Sequence, residues 1–123
     1  MHGLIVRKPY IDLILAGKKR WEIRRTNTRI RGRVALIWDG TIWGTVEIVD
    51  VLEIPVEELA KHKEHGISEE EVLEYGKGRK TLFAWVLRNP RRVKPLKISI
   101  PRGARIWVKI PKEVEEWLRS SGR

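Results

Sequence analysis

The chain has no cysteine, so neither a disulfide framework nor a thiolate metal site is open to it. Histidine is scarce too. The three are His2, His62 and His65, and the two that lie near each other are too few for a typical zinc site without carboxylate help. No metal site and no organic cofactor is therefore expected. No apolar run approaches the roughly 20 residues of a membrane span. Arg7 and Lys8 follow the first short apolar run, which is not the pattern of a secretory signal, and a cytoplasmic protein is expected. Glutamine is absent and asparagine occurs only at Asn27 and Asn89, against 34% charged residues. Few thermolabile residues beside many Lys, Arg and Glu form a thermophile pattern.

What the chain has in excess is positive charge, +10 over 123 residues. That length fits one domain, residues 1–123, since domains most often run to roughly 100–150 residues. The charge lies in blocks. Arg7 to Arg33 holds ten basic residues against Asp12 and Glu22, Glu47 to Glu74 holds ten acidic ones against Lys61 and Lys63, and Lys77 to Lys109 holds eleven basic residues and no acidic one. Basic segments sharing a face would attract a polyanion, and binding would weaken steeply with salt. Ion-pair networks on a thermophile surface would explain many charges but not their net sign. The basic residues do not line one face of a long amphipathic helix, which argues against a membrane surface.

Along the chain, Gly3 to Val6 reads as a strand. Pro9 opens a helix with Ile11, Ile14 and Leu15 on one face, and Gly17 ends it in a left-handed turn. Trp21 to Arg25 alternates with period two and reads as a strand. Val34 to Trp38 is a buried strand, Asp39-Gly40 a type I′ hairpin, and Thr41 to about Ile54 a long strand with a bulge or corner at Gly44. Val56 to Lys63 is a helix, and Ser68 with Glu71 forms a capping box for another to about Tyr75. Thr81 to Leu87 is a strand, Asn89-Pro90 a turn, Leu96 to Ile100 a strand, Arg105 to Ile110 a strand, and Pro111 starts a last helix. The expected class is α+β and β-rich, a small mixed β-barrel of six or seven strands with three or four short helices.

Of the six tryptophans, Trp38, Trp85 and Trp107 lie in apolar strands as core, and Trp117 packs inward from the last helix. Trp21 and Trp43 lie among polar neighbours and are candidates to stack on an unpaired base. Tyr10 sits at a helix start beside Lys8, where it would edge the same site. His62 and His65, on an acidic stretch, are expected to be solvated rather than ligands.

The segment from Lys8 to Arg25 resembles the signature of the ASCH domain, a branch of the PUA-like superfamily. The family pattern Gly-x-Lys-x-x-Glu-x-Arg after a helix is met by Gly17, Lys19, Glu22 and Arg24. The Lys8-Pro9 helix before it, Arg31-Gly32-Arg33 ahead of an apolar strand after it, and the late aromatic strand Phe83 to Leu87 extend the likeness over nearly the whole chain, as in an archaeal stand-alone ASCH protein. The resemblance implies a PUA-like barrel of about six strands with a cleft between barrel and helix. That cleft would bind RNA, single-stranded or carrying a modified base, with DNA as a further candidate. Lys8, Tyr10, Gly17, Lys19, Trp21, Glu22, Arg24, Arg25 and Arg31 are the expected nucleic-acid-binding residues.

The chemistry of the motif agrees with a cleft. Glu22 and Arg24 share a strand face, and Lys19 lies near it across the turn. Lys and Arg hold phosphate, and Glu accepts from a base amino group such as that of cytosine. The other reading of these charges is an ion-pair triad that pins helix to barrel. Some relatives hydrolyse acetylcytidine and ribonuclease activity is attributed to others, so a hydrolase on a modified nucleoside or RNA is the alternative function. In the acetylcytidine hydrolases a threonine nucleophile stands where this chain has Glu22, and a carboxylate cannot supply that hydroxyl. Catalysis would then fall to Glu22 as general base on water, with Lys19 stabilising an oxyanion.

Overall fold

The structure, a computed structural model, describes residues 1–120. Residues 121–123 of the expected 1–123 domain lie outside the described residues. Ten elements follow in order: β1 (His2–Ile5), α1 (Tyr10–Leu15), β2 (Trp21–Arg24), β3 (Gly32–Trp38), β4 (Thr41–Pro55), α2 (Val56–Ala60), α3 (Glu69–Tyr75), β5 (Thr81–Lys97), β6 (Trp107–Lys109) and α4 (Lys112–Ser120). The six strands form one mixed sheet in the order β2-β5-β4-β3-β1-β6. Among the described residues only β1 and β3 run parallel, with Leu4 opposite Leu36. The expected α+β, β-rich class holds, and the six or seven strands and three or four helices expected are six and four among the described residues.

Long strands let the sheet curl into a barrel-like shape without closing. Trp85 on β5 stacks on Trp107 of β6 at a centroid distance of 5.7 Å and an interplanar angle of 8°, although three strands separate β5 from β6 in the sheet. Register shifts between β4 and β5 at Ile42/Gly44, Thr45/Glu47 and Ile48/Asp50 supply the bend. Gly44 serves both the curl and the packing. A Cβ there would meet the Leu15 side chain and lie 2.6 Å from the Arg91 carbonyl oxygen. Inside the curl, Leu4, Leu36, Ile48 and Trp85 pack under α1. Leu59 and Val72 seat α2 and α3 on Trp21 and Leu82. Leu118 of α4 packs with Ile37, Ile42 and Val108.

Most local signals hold. Asp39 and Gly40 both have positive φ, 53° and 67°, as a type I′ turn requires. Ser68 and Glu71 form the reciprocal capping box at the start of α3. Four readings need correction. The helix expected from Val56 to Lys63 ends at Ala60. Asn89-Pro90 is not a turn between strands: β5 runs through it to Lys97, with Asn89 at φ 53° beside the Thr45/Glu47 register shift. Of the separate strand expected from Leu96 to Ile100, only Leu96 and Lys97 are strand, as the end of β5, and the strand expected from Arg105 to Ile110 shortens to Trp107–Lys109.

Candidate functional site

The family-like motif enters the site through a turn. After α1, Gly17 takes φ 78°, and the N–H groups of Lys18 and Lys19 both donate to the Leu13 carbonyl, at 2.9 and 3.1 Å. This curls the chain so that Lys19 points inward, only 3% exposed. Its Nζ donates to the His65 carbonyl at 2.9 Å and stands 3.8 Å from Glu22 Oε1. Burial pushes the Lys19 pKa down, and Glu22 opposes that shift without cancelling it.

Period-two geometry in β2 puts Glu22 and Arg24 on one face. Arg24 Nε donates to Glu22 Oε2 at 2.8 Å, and its Nη2 lies 2.6 Å from the same oxygen. Nη2 also donates to the Ile5 carbonyl at 2.9 Å, tying the end of β2 to β1 across the opening of the curl. Glu22 is the central anion of a Lys19–Glu22–Arg24 triad. The triad both ties elements together and forms a wall, so the two readings of these charges describe one arrangement.

That wall bounds a cavity of about 470 Å³ between the ends of β1 and β2, α1 and the α2–α3 segment. Lys19, Glu22 and Arg24 form one side, Tyr10, Glu71 and Tyr75 another, and Arg7, Trp38 and Arg105 lie around them. Tyr10 Oη donates to Glu71 Oε2 at 2.9 Å. That bond is the largest influence on both groups: it holds the phenol above its usual pKa and the carboxyl below its own. The other Glu71 oxygen caps α3, so one carboxylate fixes the helix start and joins it to α1. Arg7 and Arg105 are exposed, and neither makes an ion pair among the described residues.

Of the nine expected binding residues, four line this cavity: Tyr10, Lys19, Glu22 and Arg24. The other five sit elsewhere. Lys8 Nζ lies 3.8 Å over the Trp43 ring and 3.7 Å from Asp12. Gly17 makes the turn and borders a second, smaller cavity. Trp21 is 9% exposed in the core beneath α2 and α3, its ring 5.0 Å from that of His62, so it is a packing residue rather than a platform for a base. Arg25 donates through Nε and Nη2 to the Tyr75 carbonyl at 3.2 and 3.1 Å and holds the end of α3. Arg31 donates to the carbonyls of Thr28 and Ile30 and staples its own turn.

Sequence reasoning missed Arg7, Trp38, Glu71, Tyr75 and Arg105 as wall residues. Only Glu71 carried a signal, the capping box, and that signal speaks of a helix start and not of what the helix faces. His65 corrects a further expectation, being buried at 2% exposure and not solvated. Its Nδ1 accepts from the Ile67 N–H at 3.1 Å, so Nε2 carries the proton facing the Ala60 carbonyl at 3.1 Å. Among the described residues no group of three or more histidine or carboxylate side chains is placed to hold a metal.

Residues 4–97 match the family model of the ASCH domain. The chain belongs to the ASCH domain family. Solved structures agree on the fold. ASCH from Zymomonas mobilis matches with a TM-score of 0.82 and 18% identity, covering 99% of this chain and 95% of that one. A tyrosine-to-phenylalanine mutant of that protein matches with a TM-score of 0.80 and 17% identity over 99% of this chain and 98% of its own. A serine-to-alanine mutant gives 0.78 and 18% over 97% and 94%. No curated protein matches this ASCH domain in sequence. No helix among its described residues is long and apolar enough to cross a membrane.

Proposed function

We propose that this ASCH domain binds RNA, taking an unpaired or modified base into the cavity beside the Lys19–Glu22–Arg24 triad. One observation carries the reading. The cavity of about 470 Å³ joins Arg7 and Arg105, exposed and without an ion pair among the described residues, to the aromatic rings of Tyr10, Trp38 and Tyr75 in a chain of net charge +10. Its volume lies within the roughly 300–1,000 Å³ of ordinary ligand sites. Aromatic rings suit a base, free guanidinium groups suit phosphate, and a carboxylate such as Glu22 accepts from a base amino group. Lys19 is too buried to serve as the first contact for a strand in solvent, so the test falls on Arg7 and Arg105. Fluorescence anisotropy of labelled single-stranded RNA against salt should show weaker binding in the double variant Arg7→Ala, Arg105→Ala. The slope of log K on log salt should fall by about 1.4, at roughly 0.7 per phosphate contact. Unchanged affinity and slope would overturn the reading.

A second reading, hydrolysis of an acetylated nucleoside, is favoured by the lowered pKa of buried Lys19 beside a carboxylate. Among the described residues no serine or threonine lines the cavity, so the nucleophile would be a water activated by a carboxylate. Incubation with acetylcytidine followed by chromatography tests it. Cytidine released by the wild type and lost in Glu22→Gln would place this reading first.

A further inference from the structure

The main cavity has a neighbour. A second hollow of about 250 Å³ lies between the turn after α1 and the middle of β5. Lys19 borders both hollows, so the two adjoin at this residue. The smaller one is rimmed by Gly17, Arg20, Arg88 and Asn89. From it, the distal half of β5 carries Arg88, Arg91, Arg92, Lys94 and Lys97, all exposed. None of the five makes an ion pair or a side-chain hydrogen bond among the described residues. The run from Lys77 to Lys109 has no acidic residue.

The strand is also held in place. A paired cation on β3 anchors it. Arg33 donates to Thr45 Oγ1 at 2.7 Å, to Glu47 at 3.0 Å and to the Asn89 carbonyl at 3.1 Å, which fixes the bulge beside Arg88 and Arg91. β2 pairs with β5 only from Phe83 to Val86, so the edge of β5 beyond that point lies free of β2. Unpaired cations on a sheet edge block pairing with another strand. Five exposed cations in ten residues, none with an ion pair among the described residues, also suit a polyanion lying along the strand.

We infer that the smaller hollow and the distal half of β5 form a second subsite, which binds the sugar–phosphate backbone of the same RNA strand whose base enters the main cavity. The inference rests on the RNA reading above and adds a direction. The strand crosses the Gly17 turn, meets Arg20 and Arg88, and runs along β5 past Arg91 and Arg92. Contacts of this kind carry no base preference and set register and affinity.

The test uses a 5′-labelled oligouridylate and oligocytidylate about 20 nucleotides long, titrated at several salt concentrations, the length being set by the need to overrun single-base contacts. The triple variant Arg88→Ala, Arg91→Ala, Arg92→Ala should lose about a hundredfold in affinity at 0.1 M salt. Its slope of log K on log salt should fall by about 2, at roughly 0.7 per contact. The triple Arg→Lys variant keeps the charges and should retain most of the slope, and matched melting temperatures exclude unfolding. If the triple alanine variant keeps wild-type affinity and slope while Arg7→Ala, Arg105→Ala loses its share, the subsite is overturned and the cavity reading stands. If the lysine and alanine triples lose equally, charge is not the cause and the subsite is again overturned. A wild type that binds neither oligonucleotide overturns both readings.

Discussion

Substitution of Glu22 by Gln tests the electrostatics of the site more sharply than any change to the two cations around it. Glu22 and Lys19 are 6% and 3% exposed. The carboxylate stands between Lys19 Nζ at 3.8 Å and Arg24 Nε at 2.8 Å. Glu22→Gln keeps the shape and withdraws the one negative charge, leaving two cations facing a neutral amide. Removing one partner of a buried pair costs about 3–5 kcal/mol. Arg24 keeps the Ile5 carbonyl and Lys19 keeps the His65 carbonyl, so the lower end, about 3 kcal/mol, is expected. Lys19→Met behaves differently. Glu22 retains Arg24, and the group left without its donor is one carbonyl, worth about 1 kcal/mol. Relief of the burial penalty on the ammonium offsets part of that. The expected loss is at most about 1 kcal/mol, so Glu22→Gln should be clearly the worse variant.

The same pair has a pH signature. Burial holds the folded pKa of Lys19 below the ordinary 10.5. Between those two values the unfolded chain keeps a proton that the folded chain has released, so stability from this group rises with pH through that window. Below the window the whole burial penalty remains. Lys19→Met lacks this rise. Denaturant unfolding followed by tryptophan fluorescence, at neutral pH and in steps toward pH 10.5, measures both effects. Equal destabilisation by the two variants, or the same pH rise in wild type and Lys19→Met, would refute the reasoning.

Two further outcomes are expected from the geometry around the site. Gly66 has φ 67°, and a Cβ there would lie 2.5 Å from the Lys18 carbonyl oxygen and 2.9 Å from Lys19 Cα; Gly66→Ala should cost about 3 kcal/mol from backbone strain plus overpacking. Gly17 has φ 78° but nothing within 4 Å, so Gly17→Ala should cost only about 1 kcal/mol, and equal losses in denaturant melts would show that the close approach at Gly66 is unimportant. The Tyr10 phenol should titrate above its ordinary 10.0 because of its bond to the Glu71 carboxylate. Alkaline ultraviolet titration in a Tyr75→Phe background should show the midpoint moving down in Glu71→Gln, and an unmoved midpoint would remove that bond from the account.

Signals confined to a few consecutive residues were legible in the sequence. Asp39-Gly40 announces its turn because both residues tolerate positive φ, and Ser68 with Glu71 announces a helix start because the two groups answer each other within one turn. The triad was legible for a similar reason: strand periodicity puts Glu22 beside Arg24, and a reversal at Gly17 brings Lys19 to them. The misreadings share a different cause. Asn89-Pro90 has the composition of a turn, yet β4 continues beside it and Arg33 grips the Asn89 carbonyl, so pairing overrides local preference. His65 and Trp21 sit among polar neighbours in the chain, but α2 and α3 fold over them and bury both. Arg7, Glu71 and Arg105 come from three distant stretches, and no spacing rule in one sequence connects them to a common wall.

The segment that carries Glu71 and Tyr75 leaves the sheet after Pro55 and returns at Thr81, and those two residues are register partners on β4 and β5. Departure and re-entry points are therefore side by side, like the two ends of a removable cartridge. Such an insert can change length between fixed ends, provided it keeps the Glu64 and His65 carbonyls that hold Arg20, Trp21 and Lys19 and the glycine at position 66 beside Lys18. The wall formed by Ile67, Glu71 and Tyr75 thus travels with the insert, while Glu22 and Arg24 stay on β2 as a floor. Exchanging residues 56–80 between family members is accordingly the economical route to altering what this domain selects.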